Sequence, residues 1–110
     1  MDIETTIRGT RAVLRPHGRL NMVTAPSVKA RIDQAVAEGH AEIVIDLSET
    51  SFMDSSGLGA LIGGLKAARQ AGGDLHIAAA PEQVMTVLRL TNLDRVLRTH
   101  RTVDEALDGP

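Results

Sequence analysis

Short half-polar strand patterns alternate with helical ones through most of this chain, and that alternation limits the folds open to it. Glu42-Ile43-Val44-Ile45-Asp46-Leu47 reads as a strand with Ile43, Ile45 and Leu47 on one face, while Glu42 and Asp46 share the other with Val44. An amphipathic helix follows a short loop and runs from about Ser55 to Ala71; its stripe is Leu58, Leu61, Ile62 and Leu65, and Gly72-Gly73 ends it. Asp74-Leu75-His76-Ile77-Ala78 is the next strand, with Leu75 and Ile77 inward. Strands joined through helices run parallel. Right-handed crossovers with a steadily advancing strand order put the helices on one face. The half-polar strands agree, because a sheet covered on both faces reads as more continuously apolar.

The flanking segments complete the order β-β-α-β-α-β-α-(β)-α. Ile3–Arg8 alternates loosely, Gly9-Thr10 marks a turn, and Arg11–Arg15 returns as the second strand of a hairpin that Pro16 brings to an end. Gly18–Asn21 reads as a loop. Thr24 is placed as the N-cap of a first helix with Pro26 in its first turn, an apolar face of Ala25, Val28, Ile32 and Val36, and Gly39 as its stop. Pro81 starts a third helix with Val84, Val87 and Leu88 on one face, and Asn92 suits the left-handed position after it. Leu93, Val96 and Leu97 lead into a short strand. Thr102–Leu107 is a closing helix, with Thr102 as N-cap and Glu105 three residues on. His76 is expected on the open side of the sheet. The expected fold is therefore α/β: a single domain over residues 1–110, with a four- to five-stranded mixed β-sheet, an N-terminal hairpin and about four helices mainly on one face.

Composition narrows the function classes. With 43% apolar residues and Phe52 as the single aromatic, the core has to be aliphatic. A net charge of -2 gives no nucleic-acid footprint, and arginines near both termini without interleaved aromatics read as solvated surface. No apolar run spans a membrane, and Met1-Asp2-Ile3-Glu4 is too acidic for a signal peptide. With no cysteine there is no thiolate chemistry. A cytoplasmic protein is the expectation. The four histidines show no metal-ligand spacing, Gly57-Leu58-Gly59 lacks a dinucleotide fingerprint, and no nucleophile elbow surrounds Ser55. Neither a metal, a cofactor nor an enzymatic activity is expected.

Met53-Asp54-Ser55-Ser56-Gly57-Leu58-Gly59 carries the functional signal. It places a carboxylate and two hydroxyls at a helix N-terminus, where free N–H groups and the helix dipole tolerate negative charge. Asp54 or Ser55 serves as the cap. A phosphate on such a serine changes a surface abruptly, which suits a switch better than a catalyst. Gly57 and Gly59 weaken a helix, by about 1 kcal/mol each relative to alanine. They read as a bare surface for a partner's backbone, with Gly63-Gly64 adding to it.

Asp46-Leu47-Ser48 followed by Phe52–Gly59 resembles the signature of STAS domains, and within them the bacterial anti-sigma factor antagonists. Gly18-Arg19-Leu20 with Thr24-Ala25, Leu88–Leu97, and Glu105-Ala106-Leu107 extend the resemblance over nearly the whole chain. It implies partner switching. The unphosphorylated antagonist binds an anti-sigma factor that is also a serine kinase, and a sigma factor is freed. The kinase phosphorylates the serine after the motif aspartate, here Ser55, and a serine phosphatase reverses it. The resemblance makes Asn21, Asp54, Ser56, Gly57 and Gly59 the partner-binding residues around Ser55. The family usually has Leu-Asp where this chain has Leu20-Asn21, so the missing carboxylate bears on partner choice or on repulsion of a Ser55 phosphate. The alternative is a STAS subunit of a stressosome-like or lipid-transport complex docking a non-kinase partner. Monomer and weak dimer both stay open.

Overall fold

A computed structural model describes residues 1–108; the last two positions of the expected 1–110 domain lie outside the described residues. The N-terminal hairpin pairs β1 (Ile3–Arg8) with β2 (Arg11–Pro16) in antiparallel register from Ile3 opposite Pro16 to Arg8 opposite Arg11. Gly9 turns it at φ +66°, a conformation that costs residues with a Cβ. The chain continues through β3 (Gly18–Leu20), α1 (Ala25–Ala37), β4 (Glu42–Asp46), β5 (Thr50–Met53), α2 (Ser55–Gln70), β6 (Asp74–Ala78), α3 (Glu82–Leu90), a 3-10 turn (Leu93–Arg95), β7 (Arg98–His100) and α4 (Val103–Asp108). The main sheet has five strands in the order β1-β2-β4-β6-β7, and every pair after the hairpin is parallel. The mixed α/β domain expected from the strand–helix alternation is the observed fold.

Two strands went unread in the sequence. Gly18–Leu20, expected as loop, is β3, and the stretch before the Asp54-Ser55 motif holds β5. They form a separate two-stranded parallel sheet, with Arg19 opposite Phe52 and Leu20 opposite Met53. Elements this short show no readable period. Their pairing depends on neighbours distant in sequence, including the Thr50 hydroxyl, which donates to the Pro16 carbonyl at 3.2 Å.

The first face of the main sheet carries the core. Leu14, Ile43, Ile45, Leu75 and Ile77 pack against Val28 and Ile32 of α1, Leu58, Leu61 and Leu65 of α2, and Val84 and Leu88 of α3. The largest fully buried side chains are all Leu, Ile or Met, as the near-absence of aromatics requires. Helix stripes shift slightly from expectation: Ala35 is buried in α1 while Val36 is half-buried, and Ile62 is half-buried in α2. Gly63 and Gly64 are not bare partner surface. A Cβ on Gly64 would lie 2.7 Å from Ile32 Cδ1, and one on Gly63 2.9 Å from Lys29 Cε, so both glycines let α1 and α2 approach closely.

The chain's caps follow local chemistry with small departures. Asn92 takes φ 59°, as expected of a left-handed helix end. Thr102 Oγ1 accepts from the Glu105 N–H at 3.1 Å, but the Glu105 carboxylate accepts from the Arg101 N–H, one residue earlier than a capping box demands. Thr24 holds the N-cap position without a capping bond to α1; its hydroxyl donates to the Arg19 carbonyl at 2.6 Å instead.

The second face is partly covered by α4, where Ala106 and Leu107 bury against Val44 and Ala78. His76 therefore does not face open solvent. Its side chain is 12% exposed, and its ring stacks on His100 with centroids 5.0 Å apart. A 3.0 Å hydrogen bond joins His76 Nδ1 to His100 Nε2. Among the described residues, no helix is long and apolar enough to cross a membrane.

Burial, reinforced by the charge of His76 and opposed by that of Glu105, holds His100 below its ordinary value of 6.5. The unfolded chain takes up a proton at this ring before the folded one does. The contribution of His100 to stability is thus present above 6.5 and lost as pH falls toward the depressed value. Urea denaturation of wild type between about pH 7 and about pH 5.5 should show a falling midpoint, and His100→Gln should flatten that fall. An identical slope in the variant would exclude His100 as its source.

Candidate functional site

The Asp54-Ser55 motif is positioned by β3, β5 and the first turn of α2. The Asp54 N–H donates to the Leu20 carbonyl at 3.3 Å, one step beyond the Leu20–Met53 pair. The other edge of β5 has no strand neighbour. There the Gln83 side chain accepts from the Met53 N–H at 3.0 Å and donates to the Met53 carbonyl at 3.2 Å, standing in for one. Nothing in the sequence singled Gln83 out, because its role depends on where α3 packs.

Asp54, rather than Ser55, is the cap. Its Oδ1 accepts from the N–H groups of Ser56 at 2.9 Å and Gly57 at 3.1 Å, and its carbonyl accepts from the Leu58 N–H at 3.0 Å. The pool of free donors expected at this helix start is therefore nearly exhausted. Among the described hydrogen bonds, only the Ser55 N–H of the first turn lacks a partner. Ser55 is exposed and Ser56 half-buried. The Ser55 hydroxyl has no partner among the described residues either. It stands at the surface at the positive end of a 16-residue helix, next to a carboxylate turned inward. A phosphate there meets a helix dipole and one open N–H, and it projects outward rather than docking into the fold.

The two motif glycines separate. Gly59 is exposed, and a Cβ on it would meet nothing within 4 Å. Gly57 is buried, and a Cβ on it would lie 2.4 Å from the Leu20 carbonyl oxygen. The expectation that Gly57 offers a bare approach to a partner is thus corrected: its missing side chain makes room for the backbone of β3. Only Gly59 presents open helix surface.

Asn21 follows β3 directly and so lies beside the motif. Its Oδ1 accepts from the N–H groups of Val23 at 3.0 Å and Thr24 at 3.3 Å, an Asx turn that sets the entry to α1. A carboxylate accepts the same two bonds, so asparagine keeps the turn and drops the charge. The turn lifts Met22 and Val23 into solvent, 74% and 80% exposed. They were legible as apolar in the sequence, but only the turn shows that they point away from the core. On the same strand pair, the Arg19 guanidinium sits 4.6 Å from the Phe52 ring centroid, which leaves the one aromatic side chain half-buried under a cation.

Comparison with known proteins decides the family, since the sequence pattern of the STAS domain matches residues 2–106. The chain belongs to the STAS domain family. This STAS domain is 27% identical over 100 residues to the anti-sigma-B factor antagonist of Staphylococcus aureus, covering 91% of this chain and 93% of that protein. It superposes with a TM-score of 0.89 on a Thermotoga maritima protein named a candidate anti-sigma factor antagonist, at 30% identity over 96% of this chain and 92% of that one. It also shares its fold with the Bacillus cell fate determinant SpoIIAA in the phosphorylated form, with a TM-score of 0.75 at 23% identity and 97% coverage of both chains.

The contrast between the glycines is measurable. Gly57→Ala should lower stability by about 1–3 kcal/mol, because the new methyl meets backbone that cannot swing aside. Gly59→Ala should raise it by about 0.5–1 kcal/mol through helix propensity alone. Urea unfolding of the two variants checks both signs.

Proposed function

We propose that this STAS domain is an anti-sigma factor antagonist, a binding module rather than an enzyme. In this reading its unphosphorylated form binds an anti-sigma factor with serine kinase activity, and phosphorylation of Ser55 ends that binding. The observation that carries the reading is the Ser55 hydroxyl: exposed, unengaged, and held at a helix start whose cap is supplied entirely by Asp54. Modification of Ser55 costs the fold no hydrogen bond. The relatives named as anti-sigma factor antagonists support the same role, and a phosphatase acting on the modified serine completes the cycle.

The surface around Ser55 fits a regulated contact. Met22 and Val23 offer apolar area, Gly59 offers backbone access, and Ser55 and Ser56 supply hydroxyls. A phosphate adds about -1.5 to -2 charge at neutral pH. Pressed against a partner without a compensating cation, that charge costs several kcal/mol, and each 1.4 kcal/mol is about tenfold in affinity. Asn21 leaves this surface without a carboxylate at that position, so the charge contrast between the two states rests on Ser55 alone.

Three measurements test the proposal. Intact-mass analysis after incubation with ATP and anti-sigma factor kinases of the same genome should show one added phosphate, mapped to Ser55. In titration calorimetry with the kinase that reacts, Ser55→Ala should bind like wild type and Ser55→Asp should bind at least about tenfold more weakly. Equal binding by both variants would sink the switch. The double change Met22→Ser with Val23→Ser should weaken binding by about tenfold while leaving the unfolding midpoint nearly unchanged, since both side chains are already in solvent.

A further inference from the structure

The second face of the sheet holds a cavity of about 190 Å³ far from the Ser55 surface. Arg11, Glu42, Asp74 and Arg98 rim it, and they are the first residues of β2, β4, β6 and β7. The Ser55 motif instead follows the ends of β3 and β5, and its helix packs on the first face. Val44, Ala106 and Leu107 form an apolar floor, each at most 7% exposed. His76 closes one side.

Every charged side chain on this rim but one is paired with an opposite charge. Arg11 Nε lies 3.5 Å from Glu42 Oε2. Asp74 Oδ1 accepts from Arg69 Nε at 3.2 Å, and its other oxygen lies 3.4 Å from His76 Nε2. On its other side, His76 Nδ1 is hydrogen-bonded to His100 Nε2 at 3.0 Å. Of the two rim arginines, Arg98 has no carboxylate partner among the described residues. Its planar fork matches a carboxylate geometrically.

We propose that this cavity binds a small organic monocarboxylate, with the carboxylate on Arg98 and an apolar body on Val44, Ala106 and Leu107. The two requirements are independent. A bare phosphate lacks the body that the floor would cover, and it brings extra charge beside Glu42 and Asp74. A neutral molecule of the same shape leaves Arg98 unpaired. A ligand here bridges α4 to the strands beneath it and leaves the Ser55 surface free, so the two sites are occupied without competition. The inference stands whether or not Ser55 is a phosphorylation site.

Nuclear magnetic resonance on the ¹⁵N-labelled full chain at neutral pH tests it. Titration with benzoate or hexanoate should give saturable shifts at the amides of Val44, His76, Arg98 and Leu107, with those of Ser55 and Gly59 unmoved. Benzamide and inorganic phosphate should each bind at least about tenfold more weakly than benzoate, the loss expected for one charge-assisted pair or for the apolar contact. Arg98→Gln, a change at an exposed side chain, should keep the dispersed spectrum and weaken benzoate by about tenfold. The proposal is overturned if neither carboxylate gives saturable shifts at these amides. Equal binding of benzamide or phosphate overturns it as well, as does unchanged benzoate affinity in Arg98→Gln.

Discussion

The parallel pairing of β3 with β5 is the contact on which the surface around Ser55 depends. It is short, and a two-stranded sheet of this size is marginal by itself. Its stability comes from what surrounds it. Leu20 and Met53 are fully buried, the Gly18 N–H donates to the Glu49 carbonyl at 3.0 Å, and Gln83 clamps the outer edge of β5. The Leu20 carbonyl then receives the Asp54 N–H, and the Leu20 backbone fills the space left by Gly57. The start of α2 is thereby fixed from outside the helix. Ser55 stays at the surface with nothing to hold, because every structural duty at that terminus is met by its neighbours.

The sheet divides the molecule into two unequal halves. On the first face three helices bury an aliphatic core, and with no aromatic to fill irregular gaps the close fit comes from small residues. Gly64 against Ile32 and Gly73 against the Ala41 backbone show how near the elements come. On the second face one short helix covers only part of the sheet, and polar groups take over. Glu4 is bound by Arg15 at 2.7 and 2.8 Å and by His17, and these partners lower its carboxyl to about 2. Asp74, His76 and His100 form a polar row at the opposite edge, with His76 Nε2 3.4 Å from the Asp74 carboxylate and its Nδ1 hydrogen-bonded to His100. The first face thus serves stability and places the Ser55 surface. The second has room for chemistry of its own.

How much of this was legible follows from the length of the elements. β4, β6 and the three longer helices announce themselves through apolar periodicity, and the hairpin through Gly9 and Pro16. The Asp54-Ser55-Ser56-Gly57 block marked the site, since such residues at a helix start have a narrow range of uses. Which residue capped was not readable, because Asp54 and Ser55 are both good caps and the choice rests on the backbone angle at which β5 meets α2. The three- and four-residue strands β3 and β5 were equally hidden, since a period needs more residues than they have.

The alternation of main-sheet strands with helices, the aliphatic core and the place of the Asp54-Ser55 motif were determined by the sequence alone, because each depends on residues close together in the chain. The rest was decided only in the tertiary structure. Gly57 and Gly59 are the same residue two positions apart, yet one is turned against Leu20 and the other against solvent. Met22 and Val23 read as ordinary apolar residues until the Asn21 turn lifts them away from the core. Arg98 reads as one arginine among several until four strand starts meet at one edge. In each case the side chain's role is set by atoms that the chain brings near only when it folds.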